Sequence, residues 1–298
     1  MRELRTILAT TDLSALARHA VARAALMAAE SGARLCLQHV VSVSAFDAFR
    51  HLLDAQSASL EQRLLAEVRD EVETLAGEIG QRYGAKPDVQ LGVGSVRGEI
   101  GSHADAIDAD LVVMGARGAG FVRELLVGST TERVLRTSSR PLLVVKQVPH
   151  ETYRRVLLPV DFSPRSVEAL ALAHAVAPQA EYVLLHAFEV PFEGKLRYAG
   201  VEESELANLR VHARRDATAK MNDLVALTGV DAHRVRRLVL HGEATSQILN
   251  QEQEQDCDLI VIGKRGVGLL EELLLGSVTQ HVLAQSTADV LVIDGSAG

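Results

Sequence analysis

The sequence predicts an α/β protein made of two similar halves, each an open parallel sheet flanked by helices. Apolar strand-like runs alternate with segments of helical period, the pattern of parallel strands joined by helical crossovers. Five strand-like segments then recur in the same order about 148 residues later. Each half also carries one glycine frame: Gly115-Ala116-Arg117-Gly118 followed after nine residues by Gly128-Ser129, and Gly263-Lys264-Arg265-Gly266 followed after nine by Gly276-Ser277.

In the first half, strands are expected near 4–9, 33–41, 87–93, 110–115 and 141–146, each rich in Val, Leu and Ile. Leu60, Leu64, Val68, Val72, Leu75 and Ile79 step by three or four and mark an amphipathic helix. In the second half, strands are expected near 154–160, 181–188, 234–240, 258–263 and 289–293, with Leu206, Leu209, Ala213, Ala217, Met221 and Leu224 as the matching helix stripe. The repeat extends to short words. Thr11-Asp12-Leu13-Ser14 matches Val160-Asp161-Phe162-Ser163, Leu37-Gln38-His39-Val40 matches Leu184-Leu185-His186-Ala187, and Gly94 to Ile100 matches Gly242 to Ile248. Two domains follow, 1–147 and 153–298, with 148–152 as a linker short enough that the halves should pack on each other. Segments 43–53 and 188–203, with Phe46, Phe49, Phe192 and Tyr198, read as loops after the second strand, either covering the sheet edge or serving as a lid.

Composition narrows the function. A net charge of −8 and a pI near 5.8 speak against a nucleic-acid partner, which asks for a basic face. Aromatics are 3% of the chain and Trp is absent, so the core must be aliphatic. Cys36 and Cys257 lie in or beside apolar runs without ligand spacing, which suits buried thiols in a reducing compartment. The most apolar helical segment, 15–29, is broken by Arg18, His19 and Arg23 and cannot span a bilayer. The N-terminus has no signal-type apolar region, so a cytoplasmic protein without a membrane partner is expected.

The chemistry concentrates after the first and fourth strands of each half. A glycine loop between an apolar strand and a helix brings backbone amides to an anion, and a phosphate is the natural ligand. Asp12 and Asp161 follow the first strands. If the first and fourth strands are neighbours where the strand order reverses, carboxylate and loop face one cleft. Helix capping is the competing reading for both aspartates, with Ser14 or Ser163 as alternative caps. Ser129-Thr130-Thr131-Glu132 and Ser277-Val278-Thr279-Gln280 fit a capping box, and Glu132 places a negative charge beside the first loop where the second has neutral Gln280. Arg117 and Arg265 can pair a phosphate or remain solvated. His39 and His186 read as structural strand residues. No cluster has metal-site spacing, so no protein metal site and no catalytic residue is expected, and Mg2+ would enter only with a nucleotide.

The frame G-x2-G-x9-G-[ST] after an apolar strand, coupled to Asp-x-Ser after the first strand, resembles the universal stress protein family in its tandem two-domain form. The resemblance covers nearly the whole chain. It implies five-stranded parallel sheets of order 3-2-1-4-5, Rossmann-like and related to the adenine nucleotide alpha hydrolases, and an ATP-binding branch marked by the glycine frame. Carried over by position, the adenine and ribose side would be Thr10, Thr11, Asp12 and Val40, then Pro159, Val160, Asp161 and Ala187. The phosphate side would be Met114, Gly115, Arg117, Gly118, Gly128, Ser129, Thr130 and Thr131, then Ile262, Gly263, Arg265, Gly266, Gly276, Ser277, Val278 and Thr279. It further implies a regulatory role in the stress response, an intramolecular pseudo-dimer of the halves, and room for a homodimer. Competing readings are slow ATP hydrolysis or self-phosphorylation, and a scaffold with empty clefts. The chain departs from the family at Ala9-Thr10-Thr11, where a proline or valine more often precedes the aspartate.

Overall fold

The computed structural model describes residues 3–43, 57–116, 128–264 and 275–294. The chain divides into two units between Thr152 and Tyr153, and each follows one plan. In the first unit, β1 (Thr6–Thr11), α1 (Ala15–Ser31), β2 (Arg34–Ser42), α2 (Ser57–Tyr83), β3 (Asp88–Gly94), α3 (Val96–Ala106), β4 (Leu111–Gly115), α4 (Ser129–Thr137) and β5 (Leu142–Val145) alternate along the chain. The strands lie parallel in the order β3-β2-β1-β4-β5. The second unit has β6 (Arg155–Pro159), α5 (Pro164–Val176), β7 (Glu181–Phe188), α6 (Glu193–Tyr198), α7 (Glu203–Thr228), β8 (Val235–His241), α8 (Ala244–Glu254), β9 (Leu259–Gly263), α9 (Ser277–Gln285) and β10 (Asp289–Ile293). Its order is β8-β7-β6-β9-β10, again parallel. Both units have the expected strands in the expected order.

The inner strands are continuous apolar runs because helices cover both faces of the sheet. Ile7 to Ala9, Leu111 to Val113, Val156 to Leu158 and Leu259 to Val261 are all buried. Helix α1 meets its sheet through small side chains, Ala17, Ala20, Ala24, Ala25 and Ala28 among them, and it ends at Gly32. Gly32 takes φ +73° so that its amide can close on the Ala28 carbonyl, a geometry that costs glycine little.

The amphipathic stripes are buried over most but not all of their length. Val72, Leu75 and Ile79 of α2 are buried against the sheet, whereas Leu60 near its start is 36% exposed. On α7, Leu206, Ala217, Met221 and Leu224 are buried and Leu209 is exposed. The segment after β7, read as a loop from sequence, contains helix α6. The carboxylate of Glu193 on α6 accepts from Arg210 Nε at 3.0 Å and contacts His241 Nε2 at 2.8 Å, which ties α6 to α7 and to the end of β8. Phe192 at the N-cap of this short helix and Tyr198 at its last position are 71% and 96% exposed, so neither ring fills the interior. Phe46 and Phe49 lie outside the described residues.

Burial pushes the Cys36 thiol up and drives that of Cys257 up to about 12. Both are free and buried, as expected, and burial disfavours the thiolate that a nucleophile requires.

One contact recurs in both units and sets their architecture. The carboxylate of Asp110, just before β4, accepts from the amides of Arg5 and Thr6 at 2.8 and 3.0 Å. Asp258, just before β9, accepts from those of Arg154 and Arg155 at 2.8 and 3.0 Å. Each aspartate pins the start of the first strand to the start of the fourth. Asp258→Ala is expected to cost about 2 kcal/mol, two charge-assisted bonds discounted for partial exposure. Urea unfolding of the variant should move to lower denaturant, and Asp258→Asn should recover part of the loss.

Candidate functional site

In the second unit a cavity of about 350 Å³ opens beyond the carboxyl ends of β6, β7, β9 and β10. This is where strand order reverses, because β6 pairs with β7 on one side and β9 on the other. Its size falls in the range of small-molecule sites. Every described residue that the sequence assigns to the second site lines it: Pro159, Val160, Asp161 and Ala187 on one side, with Ile262, Gly263, Gly276, Ser277, Val278 and Thr279 on the other. Arg265 and Gly266 lie outside the described residues.

Asp161 owes its position to a backbone turn. Phe162 takes φ +61°, and Leu13 at the matching place takes φ +66°, a left-handed conformation that costs an apolar residue about 1 kcal/mol or more. The turn is braced. His186 Nδ1 lies 2.8 Å from the Val160 carbonyl, and its ring lies against Phe162 at 4.3 Å between centroids. Because a carbonyl only accepts, Nδ1 carries the proton. His39 makes the same bond to the Thr11 carbonyl at 2.9 Å. The histidines therefore hold the turn, and His186 also lines the cavity.

Neither aspartate caps a helix. Ser14 is the N-cap of α1, accepting from the Ala17 amide at 3.2 Å, while Asp12 Oδ1 accepts from the Ser14 amide at 3.1 Å. Ser163 is the N-cap of α5, but its hydroxyl donates to Asp161 Oδ1 at 2.6 Å. The Ser163 amide at 3.0 Å and the Ser166 hydroxyl at 3.1 Å reach the same oxygen. Burial pushes the Asp161 carboxyl up, but these hydrogen bonds outweigh it and hold the group below the usual carboxylate range. With Oδ1 saturated, Oδ2 is the oxygen available to hydroxyl or amine donors of a ligand.

The other wall is the start of α9. Gly276, not Ser277, occupies the N-cap, and Gly128 does the same for α4, so neither expected capping box forms. Both glycines are extended there, which moves each serine into the first helical position. Gln280 instead donates to the Leu275 carbonyl at 3.1 Å, and Glu132 pairs with Arg136 at 2.8 Å. Glycine brings no side chain to the cap position of either helix, so among the described residues the N-cap leaves the first amides with capacity for an anion at the positive end of the dipole. Arg136 also offsets the charge of Glu132, reducing the difference expected between the two loops. Both loops are closed at the base: the Gly276 amide donates to the Lys264 carbonyl at 2.9 Å and that of Gly128 to Ala116 at 2.7 Å. Thr279 and Thr131 donate their hydroxyls to the carbonyls of Gly263 and Gly115 at 2.8 and 2.9 Å.

The first unit places its predicted residues on the matching elements. Thr10 and Thr11 are buried at the end of β1, with Asp12 exposed just beyond. Val40 lies near the end of β2, and Met114 and Gly115 close β4. Gly128, Ser129, Thr130 and Thr131 form the N-terminal turn of α4. Arg117 and Gly118 lie outside the described residues.

Sequence reasoning missed Arg165, Ser166, Ala169, Leu185, Ala244, Ile248 and Ile293 in the cavity lining. One signal was present, since Gly242 to Ile248 repeats Gly94 to Ile100. That word is the turn and first helical turn that bring Ala244 and Ile248 over the cleft. Among the described residues no group of three His, Cys, Asp or Glu is placed to hold a metal ion, and no helix is long and apolar enough to cross a membrane.

The universal stress protein family model matches residues 3–146 and again 152–294. The chain belongs to the universal stress protein family. It is 27% identical over 300 residues to a universal stress protein of Mycolicibacterium smegmatis, covering 96% of both chains. Among solved structures, a universal stress protein of Archaeoglobus fulgidus matches with a TM-score of 0.65 at 24% identity, covering 97% of this chain and 98% of its own. A chain of Pseudomonas aeruginosa described as a putative universal stress protein matches with 0.62 at 20% identity, covering 98% and 93%. These two likenesses concern the fold.

In this universal stress protein the helix beside the second cavity is capped by an acid. Glu243 accepts from the amides of Thr245 and Ser246 at 2.8 Å each. Burial raises its carboxyl, but the Ser246 and Thr245 bonds prevail and bring it from 4.5 to about 2. A depressed folded value gives stability that is present above about pH 4.5 and lost as pH falls toward about 2. Solvent screening at this exposed residue limits the effect to about 1 kcal/mol. Urea unfolding between pH 7 and 2 should show a shallower acid limb for Glu243→Gln than for the unsubstituted chain.

Proposed function

We propose that this universal stress protein is a cytoplasmic regulatory protein of the stress response that binds ATP, with Mg2+ arriving on the nucleotide. The observation that carries the reading is the second cavity, which sets Asp161 against the uncapped start of α9 across one cleft. Asp161 Oδ2 would accept from ribose hydroxyls, and the main chain at Ala187 would face the base. The amides of Ser277, Val278 and Thr279, with the glycine loop and Arg265, would hold the phosphates. The first unit would do the same with Asp12, Val40, Arg117, Gly118 and the start of α4.

We read the role as binding without fast turnover. Lys264 is the one lysine in either glycine frame, and it is buried beside Asp294 at 3.2 Å. It is therefore committed to the base of the loop and away from a transferring phosphoryl group. The hydroxyl of Thr279 is likewise engaged with Gly263. Slow hydrolysis or self-phosphorylation remains the second reading, favoured by the exposed Ser277 in the first turn of α9.

Calorimetry with Mg-ATP tests the proposal on the full chain and on Val40→Trp and Ala187→Trp, which place bulk against the base in one unit each. Two sites are expected, with one lost in each variant. A chain that binds no adenine nucleotide overturns the reading. In a parallel assay, phosphate release slower than about one turnover per minute would fit a binding role, against typical enzyme rates of about 10 per second.

A further inference from the structure

Gln38 lies within β2 at 1% exposure, in register with Thr10 on one side and Gln90 on the other. Its Nε2 donates to the Glu99 carbonyl at 3.2 Å, and its Oε1 is buried without a hydrogen-bond partner. The orientation is fixed by chemistry. A carbonyl can only accept, so the amide nitrogen must face Glu99 and the oxygen must face away. An acceptor buried in this way is normally satisfied, and one left open asks for an explanation, of which a donor brought by a ligand is one.

The internal repeat places the residue relative to the cleft. Leu37-Gln38-His39 corresponds to Leu184-Leu185-His186, and Val96 and Ile100 correspond to Ala244 and Ile248. Leu185, Ala244 and Ile248 all line the second cavity. Glu99 sits on α3 between Val96 and Ile100, so the Gln38 amide bridges β2 and α3 across the gap that in the second unit is cavity wall. Gln38 also shares a face of β2 with Val40, two residues on.

We propose that Gln38 is a specificity-determining residue of the first cleft, its Oε1 accepting a hydrogen bond from the exocyclic amine of a 6-aminopurine. Leu185 gives the second cleft an apolar surface at the same place, so the two clefts differ in how they read the base. The inference rests on the nucleotide reading and goes beyond it by making the two sites unequal. A fixed buried acceptor discriminates sharply, because a base lacking the amine leaves it unpaired.

The test uses the full chain carrying Ala187→Trp, which confines binding to the first cleft, titrated by calorimetry with ATP and with purine riboside 5′-triphosphate, which lacks the 6-amino group. With Gln38 present, ATP should bind about tenfold more tightly than the analogue. Gln38→Leu should bring the two within about twofold of each other, with thermal unfolding as the check that the variant is folded. The reciprocal Leu185→Gln, in a Val40→Trp chain, should create a preference for ATP and does not depend on the first variant folding. Equal affinities with Gln38 in place, or a preference that survives Gln38→Leu, overturn the proposal. So does an Ala187→Trp chain that binds neither nucleotide while the unsubstituted chain still binds ATP. If the unsubstituted chain binds neither, the nucleotide reading itself fails and the proposal with it.

Discussion

The site depends on β6 lying directly between β7 and β9, and β1 between β2 and β4. That neighbourhood is what brings a carboxylate at the end of one strand to face a glycine loop at the end of another. Side-by-side apolar strands do not choose their neighbours by hydrophobicity alone, because any Val- or Leu-rich strand could pair with any other. Asp110 and Asp258 supply direction. Each stands before the fourth strand and takes two amides at the start of the first, tying the starts of the two strands together.

From that alignment the rest of the cleft follows in short steps. The chain leaves β6 through a left-handed Phe162, His186 secures the turn from the neighbouring strand, and Ser163 and Ser166 saturate one oxygen of Asp161. Across the cleft, Gly276 takes the cap position and offers no side chain to the amides after it. A polar cap there would have stabilised the helix by about 1 kcal/mol. The helix start goes without that contribution.

Much of this was legible in the sequence because duplication made each signal appear twice. Five strands, their alternation with helices and the glycine frame all recur at one offset, so chance matches were easily separated from real ones. What was not legible depended on contacts that a linear reading weighs wrongly. The Ser-x-x-Glu and Ser-x-x-Gln words suggested serine caps, but the preceding glycines take that position. Leu60 and Leu209 continue a helical period at positions where the fold leaves them exposed. His39 and His186 looked structural and are, yet His186 also borders the cavity, a double role that strand pattern cannot reveal.

The paired left-handed residues carry one more implication. Glycine would adopt that turn freely, yet one half has leucine and the other phenylalanine. The backbone path therefore survived a change of side chain, and the strain travelled with the path. A strained turn kept in both copies needs bracing, and the brace comes from the neighbouring strand: His186 of β7 holds the Val160 carbonyl and lies against the Phe162 ring, so the position of Asp161 depends on β7 as well as on its own strand.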